Sequence, residues 1–133
     1  SRLMQAGGLQ VRQVDPAEFT PGAFASDVRR AVEVDGAGLV VLDSLNGYLN
    51  GMPDEEHLPM HLHELLTYLS YRNVLTVLTM NQHGFMGESI HSPVDVSYLA
   101  DVALVLRYFE ASGAVRRAAS VMKRRCGPHE VHI

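Results

Sequence analysis

The sequence predicts an α/β fold, in which a mainly parallel sheet is flanked by helices and completed by a C-terminal antiparallel hairpin. Two observations support this prediction. Short, wholly apolar runs alternate with segments whose apolar residues recur at helical spacing, as expected for strands joined by helical crossovers. Two longer β-rich runs near the C-terminus are separated by a turn sequence, which predicts a hairpin. The chain of 133 residues is long enough for one domain, residues 1–133, with its own core.

The first third of the chain predicts a strand, a helix and a second strand. Residues 9–14 alternate apolar and polar side chains, which is the period of a half-buried strand. The run Thr20-Pro21-Gly22 indicates the start of a helix that continues to about Val34. Residues 39–42 are all apolar and lie between turn signals, which favours a central parallel strand covered on both faces.

The middle of the chain predicts a loop, a helix, a strand and a second loop. Residues 46–54 are rich in Gly, Asn and Pro and therefore indicate a loop. Residues 57–71 predict an amphipathic helix because five leucines recur at helical spacing. These are Leu58, Leu62, Leu65, Leu66 and Leu69. Residues 74–80 are apolar and β-branched, which indicates a strand, and residues 83–92 indicate a loop.

The C-terminal part predicts a hairpin with strands at residues 102–109 and 115–125, joined by a turn at 111–113. Residues 129–133 indicate the start of one more strand. In a strictly alternating strand, Lys123 and Arg125 share a face with Val115 and Arg117. Two cations on one face could bind a phosphate, as an arginine finger does when it reaches a neighbouring subunit. The simpler interpretation is a solvated strand face.

Composition and charge exclude several classes of protein. The formal net charge of -4 gives no general attraction to nucleic acid or to an anionic membrane. No apolar run approaches the length of a membrane span, and the N-terminal residues lack a signal-peptide pattern. Cys126 is the single cysteine, so a disulfide framework is excluded and a reducing compartment is the simpler expectation. We therefore expect a cytoplasmic location.

Two polar residues follow the predicted parallel strands. Asp43 ends the apolar run 39–42, which delivers its carboxylate to the carboxyl edge of the sheet, where open α/β folds bind ligands. In P-loop NTPases such an aspartate orients the Mg²⁺ that bridges the β- and γ-phosphates. Gln82 follows the strand at 74–80, where a glutamine can contact the γ-phosphate or orient the attacking water. The alternatives are turn chemistry for Asp43 and a polar strand exit for Gln82.

Six segments, in order along nearly the whole chain, resemble the KaiC-like circadian-clock ATPases of the RecA superfamily. They are residues 39–50 (LVVLDSLNGYLN), 63–69 (HELLTYL), 81–84 (NQHG), 92–101 (SPVDVSYLAD), 106–110 (LRYFE) and 123–130 (KRRCGPHE). The resemblance implies a RecA-like P-loop NTPase domain in a homo-oligomer, typically a hexameric ring that uses ATP and Mg²⁺. Some members of the family phosphorylate themselves on Ser or Thr.

The resemblance also implies roles for individual residues. Asp43 takes the Walker B position that holds Mg²⁺, and Gln82 lies on the γ-phosphate side as a second catalytic residue. Lys123 and Arg125 lie at the subunit interface and face the nucleotide of a neighbour, and His129 matches a position at the same interface. Signalling proteins are the partners that such a family implies, with neither nucleic acid nor a membrane among them.

The sequence departs from the family in its phosphate-binding half. Lys123 is the only lysine, and no Gly-x-x-x-x-Gly-Lys pattern is present. The paired catalytic glutamates of the family have no convincing equivalent in the first 38 residues. We therefore expect the C-terminal part of one RecA-like domain that lacks the Walker A segment. We expect it to hydrolyse no ATP alone and to bind no cofactor tightly.

Two other functions and one further site remain open from the sequence. The same fold could have lost its P-loop and serve as a non-catalytic oligomerisation or protein-interaction module. A DNA-handling RecA relative is less compatible with the acidic charge. His57 and His61 could share a helical face as metal ligands, but no cysteine or carboxylate completes a set at a convincing spacing.

Overall fold

A computed structural model describes residues 7–15, 18–51, 57–81 and 100–124. The chain divides into two compact units, Ser1–Met80 and Asn81–Ile133. The loop predicted at residues 83–92 and the strand predicted at residues 129–133 lie outside the described residues. No helix in the described ranges is both long enough and apolar enough to cross a bilayer.

Within the described residues, the first unit has three helices and two parallel strands. The helices are α1 (Pro21–Glu33), α2 (Leu45–Gly51) and α3 (Leu58–Tyr71), and the strands are β1 (Leu39–Leu42) and β2 (Leu75–Leu78). The strands pair in parallel from Leu39 opposite Leu75 to Leu42 opposite Leu78. The predicted α/β class, with parallel strands joined through a helix, is confirmed.

Helix α1 begins where the sequence predicts. The Thr20 side chain accepts a hydrogen bond from the Ala23 N–H at 3.2 Å, which satisfies one of the unpaired donors at the helix start. Pro21 occupies the first turn, where its fixed φ suits the helix and no N–H is needed. The helix ends at Glu33, one residue before the predicted end.

The core of the first unit lies between the helices and one face of the strands. The leucine stripe of α3 is buried as predicted at Leu58, Leu62, Leu65 and Leu69. Leu65 and Leu69 pack with Val32 of α1 and Val74, and Val40 of β1 contacts this cluster. The apolar face of α3 therefore determines the position of the strand pair against the helices.

In the part of the chain that the structure describes, the strands are covered on one face only, whereas residues 39–42 were predicted to be covered on both. The side chains that alternate away from the helical core are exposed in both strands. They are Leu39, Val41, Leu75 and Val77. Their wholly apolar sequence suits a strand buried on both sides, but α1 and α3 pack against only one side. Within the described residues, this pair of strands thus has an uncovered apolar face.

Two further predictions for the first unit are wrong. Residues 9–14 have the alternation of a strand but form none; Arg12 pairs with Asp27 at 3.5 Å, and Gln10 donates to Asp35 at 3.3 Å. The segment predicted as a loop from residue 46 is helical as α2. Leu45 and Tyr48, three residues apart, are buried, so tertiary packing overrides the loop-like Asn and Gly content.

The second unit contains the predicted hairpin. Strands β3 (Val102–Ala111) and β4 (Ala114–Arg124) pair antiparallel, with Ala111 opposite Ala114. The two-residue turn has φ of 54° at Ser112 and 69° at Gly113. Positive φ at both positions is the signature of a type I′ turn, whose twist matches that of the paired strands. The hairpin prediction is confirmed.

A β-bulge in β4 changes which side chains share a face. Leu104 pairs with Val121, whereas Ala103 pairs with Lys123, so Met122 is the extra residue. Lys123 therefore lies on the face of Ala103 and Val105 and is half-buried there. The prediction that Lys123 shares a face with Val115 and Arg117 is wrong, because strict alternation fails at the bulge.

The opposite face of the hairpin carries a row of exposed apolar side chains, which we call the apolar hairpin face. Its members on β3 alternate from Val102 to Tyr108, and on β4 Val121 lies opposite Leu104 while Val115 lies opposite Glu110. They are Val102, Leu104, Leu106, Tyr108, Val115 and Val121. Arg117 lies over the Tyr108 ring, with 5.5 Å from the guanidinium carbon to the ring centroid.

Candidate functional site at the carboxyl ends of the parallel strands

Asp43 and Thr79 are the first residues after the two parallel strands. Because β1 and β2 end in register at Leu42 and Leu78, the next residue of each strand lies at the same edge. We call this pair, Asp43 and Thr79, the carboxyl edge. Both residues are exposed. The sheet thus presents a carboxylate and a hydroxyl side by side to solvent, at the edge where parallel sheets bind ligands.

The two side chains are hydrogen-bonded to each other. Thr79 Oγ1 donates to Asp43 Oδ1 at 2.5 Å. A hydrogen bond from a hydroxyl to a carboxylate is generally stronger than one between two neutral groups. No second side chain bonds the Asp43 carboxylate in the part of the chain that the structure describes. The bond engages one of the two carboxylate oxygens.

The backbone fixes both residues. The Thr79 N–H donates to the Leu42 carbonyl at 3.1 Å, and the Thr79 carbonyl accepts from the Leu45 N–H at 2.8 Å. The Asp43–Ser44 peptide bond is cis, and α2 begins at Leu45 directly after it. Leu42 and Leu45, which flank Asp43 in the sequence, thus both bond the backbone of Thr79, and the Thr79 side chain bonds Asp43.

The carboxyl edge has the chemistry of a partial magnesium site. Mg²⁺ prefers oxygen ligands and is usually held by one or two carboxylates, with phosphate oxygens and waters completing its shell. Asp43 supplies one such carboxylate. Among the described residues, no group of three or more His, Cys, Asp or Glu side chains could hold a metal by itself.

The histidines considered as metal ligands lie on and before α3. His57 is the residue before the first turn of the helix, and His61 Nδ1 lies 4.0 Å from Glu64 Oε2. This contact is an ion pair only when the histidine is protonated. The pair thus interacts with a neighbour on its own helix and is not part of the carboxyl edge.

The remaining predicted site residues are not brought to this edge by anything the structure describes. Gln82, Arg125 and His129 lie outside the described residues. Lys123 lies on β4 in the second unit, opposite Ala103. Of the predicted nucleotide-site residues, the structure thus establishes the surroundings of Asp43 in most detail.

Sequence reasoning missed Thr79 as the partner of Asp43. The signal was present, because LVVL before Asp43 and LTVL before Thr79 are strands of equal length. Parallel strands of equal length that end together place the residues after them side by side. Because residues 81–82 are a polar pair, the sequence instead predicts Gln82 as the second site residue.

The fold defines the class. The fold of this chain is similar to that of a KaiC-like protein. A KaiC-like protein from the hyperthermophilic archaeon Pyrococcus horikoshii has a similar structure, with a TM-score of 0.76 and 21% sequence identity. The match covers 93% of this chain and 53% of that one, so the chain spans about half the length of that protein.

The resemblance predicted from the sequence is confirmed at the level of the fold, which is all that 21% identity shows. No protein-family model matches the sequence. No curated protein matches it either. The roles of individual residues consequently depend on the geometry of this chain.

Proposed function

We propose that this chain is part of a KaiC-like ATPase of the RecA superfamily, in which Asp43 binds the Mg²⁺ of Mg-ATP. The observation that carries the proposal is the position of the Asp43 carboxylate. It lies exposed at the carboxyl ends of parallel strands in a KaiC-like fold, and the Thr79 hydroxyl holds one of its oxygens. In P-loop NTPases, an aspartate at the end of a parallel strand orients the metal.

The metal neutralises charge on the β- and γ-phosphates when Mg-ATP is bound. Asp43 would hold this metal through its carboxylate, one oxygen of which accepts the hydrogen bond from the Thr79 hydroxyl. Gln82 follows Thr79 by three positions and would orient the attacking water or contact the γ-phosphate. Asp43 and Gln82 form the proposed catalytic side of the site.

The cations of the C-terminal segment form the proposed interface side. Lys123 and Arg125, with His129, would reach a nucleotide held by a neighbouring copy in a homo-oligomer. Lys123 is half-buried on the hairpin face of Ala103, so this role depends on where the bulge at Met122 directs it. Self-phosphorylation on Ser or Thr would be a further reaction of the same assembly.

The 133-residue chain alone is proposed to hydrolyse no ATP. Its sequence contains no glycine-rich phosphate loop, and backbone N–H groups in such a loop supply most of the phosphate contacts. Calorimetric titration tests this part of the proposal, and a micromolar dissociation constant for Mg-ATP would contradict it.

The test of the ATPase assignment uses the longer protein that contains this segment. We expect Asp43→Asn to lower its ATP turnover by roughly 100-fold or more, because a misplaced metal no longer stabilises the transition state. Asp35→Asn is the matched control, since Asp35 is exposed and bonds Gln10 instead. Turnover of Asp43→Asn within twofold of wild type would exclude the metal role.

A non-catalytic interaction module is the second candidate, and the apolar hairpin face favours it. Six large apolar side chains on that face are between 41% and 79% exposed. Contiguous exposed apolar surface marks interaction sites in soluble proteins. The two candidates differ in one property that is easily measured, because only the first predicts ATP turnover by the longer protein.

A further inference from the structure

The backbone of Thr79 is hydrogen-bonded at both its N–H and its carbonyl, although its side chain is exposed. Its N–H and its carbonyl both make backbone bonds, to Leu42 and Leu45, at 3.1 and 2.8 Å. Threonine is branched at Cβ, so few χ1 rotamers are open to it. The position of the hydroxyl relative to β1 is therefore restricted, and the hydroxyl donates to Asp43 from that position.

An exposed aspartate without such a partner samples several rotamers, and binding a cation would then cost it conformational freedom. The Thr79 hydroxyl removes part of that cost in advance, because it binds Oδ1 and so limits the directions in which Oδ2 can lie. Groups that orient a ligand in this way typically change metal affinity by 10- to 100-fold when they are removed.

We propose that Thr79 is a positioning residue that orients the Asp43 carboxylate toward a divalent, oxygen-preferring cation. This inference rests on the proposed function, because it takes Asp43 as the metal carboxylate. Thr79 acts through Asp43, and the hydroxyl is the atom that matters. The backbone bonds of residue 79 are independent of its side chain, so they persist when the hydroxyl is removed.

Two substitutions separate the hydroxyl from the shape of the side chain. Thr79→Val keeps the branched Cβ and nearly the same volume but removes the donor to Asp43 Oδ1. Thr79→Ser keeps the donor and removes only a methyl group. Because residue 79 is exposed, neither change leaves a cavity, and both chains are expected to melt close to the wild-type temperature.

The experiment measures binding of Mn²⁺ alone to the 133-residue chain. Mn²⁺ has the same oxygen preference as Mg²⁺ and broadens NMR signals of nearby amides. We expect broadening at residues 43–46 and 78–80 in wild type. The fitted dissociation constant is expected to rise roughly tenfold in Thr79→Val and to return to within about threefold of wild type in Thr79→Ser. Three-bond couplings of Asp43 are expected to show one χ1 rotamer in wild type and averaging in Thr79→Val.

The outcomes distinguish this inference from the proposed function. If Mn²⁺ leaves these amides sharp in wild type, or broadens them equally in Asp43→Asn, the metal assignment fails, and the inference fails with it. If Asp43→Asn loses binding while Thr79→Val matches wild type, the metal assignment stands and the positioning role is wrong. If Thr79→Ser binds as weakly as Thr79→Val, the hydroxyl is not responsible, and the positioning role is again wrong.

Discussion

The Tyr68 hydroxyl donates a hydrogen bond to Glu33 Oε1 at 2.8 Å and thereby joins α3 to the last residue of α1. The Arg29 guanidinium lies over the same ring, 5.0 Å from its centroid. These contacts border the core in which Leu69 of α3 packs with Val32 of α1. The polar link and the apolar core therefore hold the same pair of helices.

This link predicts a dependence of stability on alkaline pH. Partial burial of the phenol raises the pKa of Tyr68 above its ordinary value of 10.0, and the hydrogen bond to Glu33 and its charge raise it further. The folded state thus retains the proton more tightly than the unfolded state. The stabilisation is complete below about pH 10 and is lost as the pH rises through the raised value.

We therefore expect Tyr68→Phe to be less stable than wild type at neutral pH and to lose less stability on going to about pH 11. Urea unfolding of both chains at several pH values measures the effect. Tyr71→Phe serves as the control, because Tyr71 ends the same helix with 84% of its surface exposed. Parallel pH profiles for wild type and Tyr68→Phe would contradict the assignment.

The packing of α3 gives a second prediction. Leu69 is fully buried and lies in the cluster with Val32, Leu65 and Val74. Leu69→Ala removes apolar contacts and leaves a cavity, so we expect a loss of about 2–5 kcal/mol in the free energy of unfolding. Met60→Ala on the same helix removes a side chain that is 53% exposed, and we expect a change within about 0.5 kcal/mol. Denaturant unfolding followed by circular dichroism compares the two, and equal losses would show that α3 does not anchor the core.

The sequence was sufficient to predict those parts of the fold that local pattern determines. The leucine period of α3, the Thr20 cap of α1 and the apolar runs of β1 and β2 each depend on neighbouring residues in the chain. The position of Asp43 followed, because it needs only the end of a parallel strand. Residues 9–14 show the limit of prediction from local pattern. Their alternation gives one apolar face, but a strand also needs a partner strand to pair with.

The parts that failed depend on tertiary contacts. Helix α2 forms because Leu45 and Tyr48 are buried, and the centroid of the Tyr48 ring lies 5.3 Å from that of Phe24. Helix propensities do not include such tertiary contacts. The face of Lys123 depends on a one-residue bulge, and counting by twos cannot detect one. Thr79 could be found only by aligning the ends of two strands, a step that requires the register.

The hairpin turn gives a third prediction. Ser112 and Gly113 both adopt positive φ, which asparagine and glycine tolerate best in a type I′ turn. We expect Ser112→Asn to stabilise the hairpin by up to about 1 kcal/mol and Gly113→Ala to destabilise it by about 1–2 kcal/mol. Amide hydrogen exchange along β3 and β4 measures the local change. Ser112→Ala is the control of opposite sign, and an identical exchange pattern for the asparagine and alanine variants would exclude this turn geometry.

The apolar hairpin face gives the last prediction, which concerns a second copy of the chain. Leu106 is 79% exposed at the middle of that face, and β3 places Leu104 and Tyr108 on either side of it. Among the described residues, this face has six exposed apolar side chains, and the uncovered face of the first unit has four, Leu39, Val41, Leu75 and Val77. We therefore expect the chain to self-associate mainly through the hairpin, because association removes the most apolar surface from water there.

Leu106→Thr keeps a strand-forming residue while replacing a large apolar side chain with a smaller polar one. Sedimentation velocity is expected to show at least a tenfold weaker association for it, consistent with the loss of roughly 1.4 kcal/mol or more of contact energy. Leu75→Thr makes the same change on the other face, and an equal or larger effect there would assign self-association to the parallel strands instead.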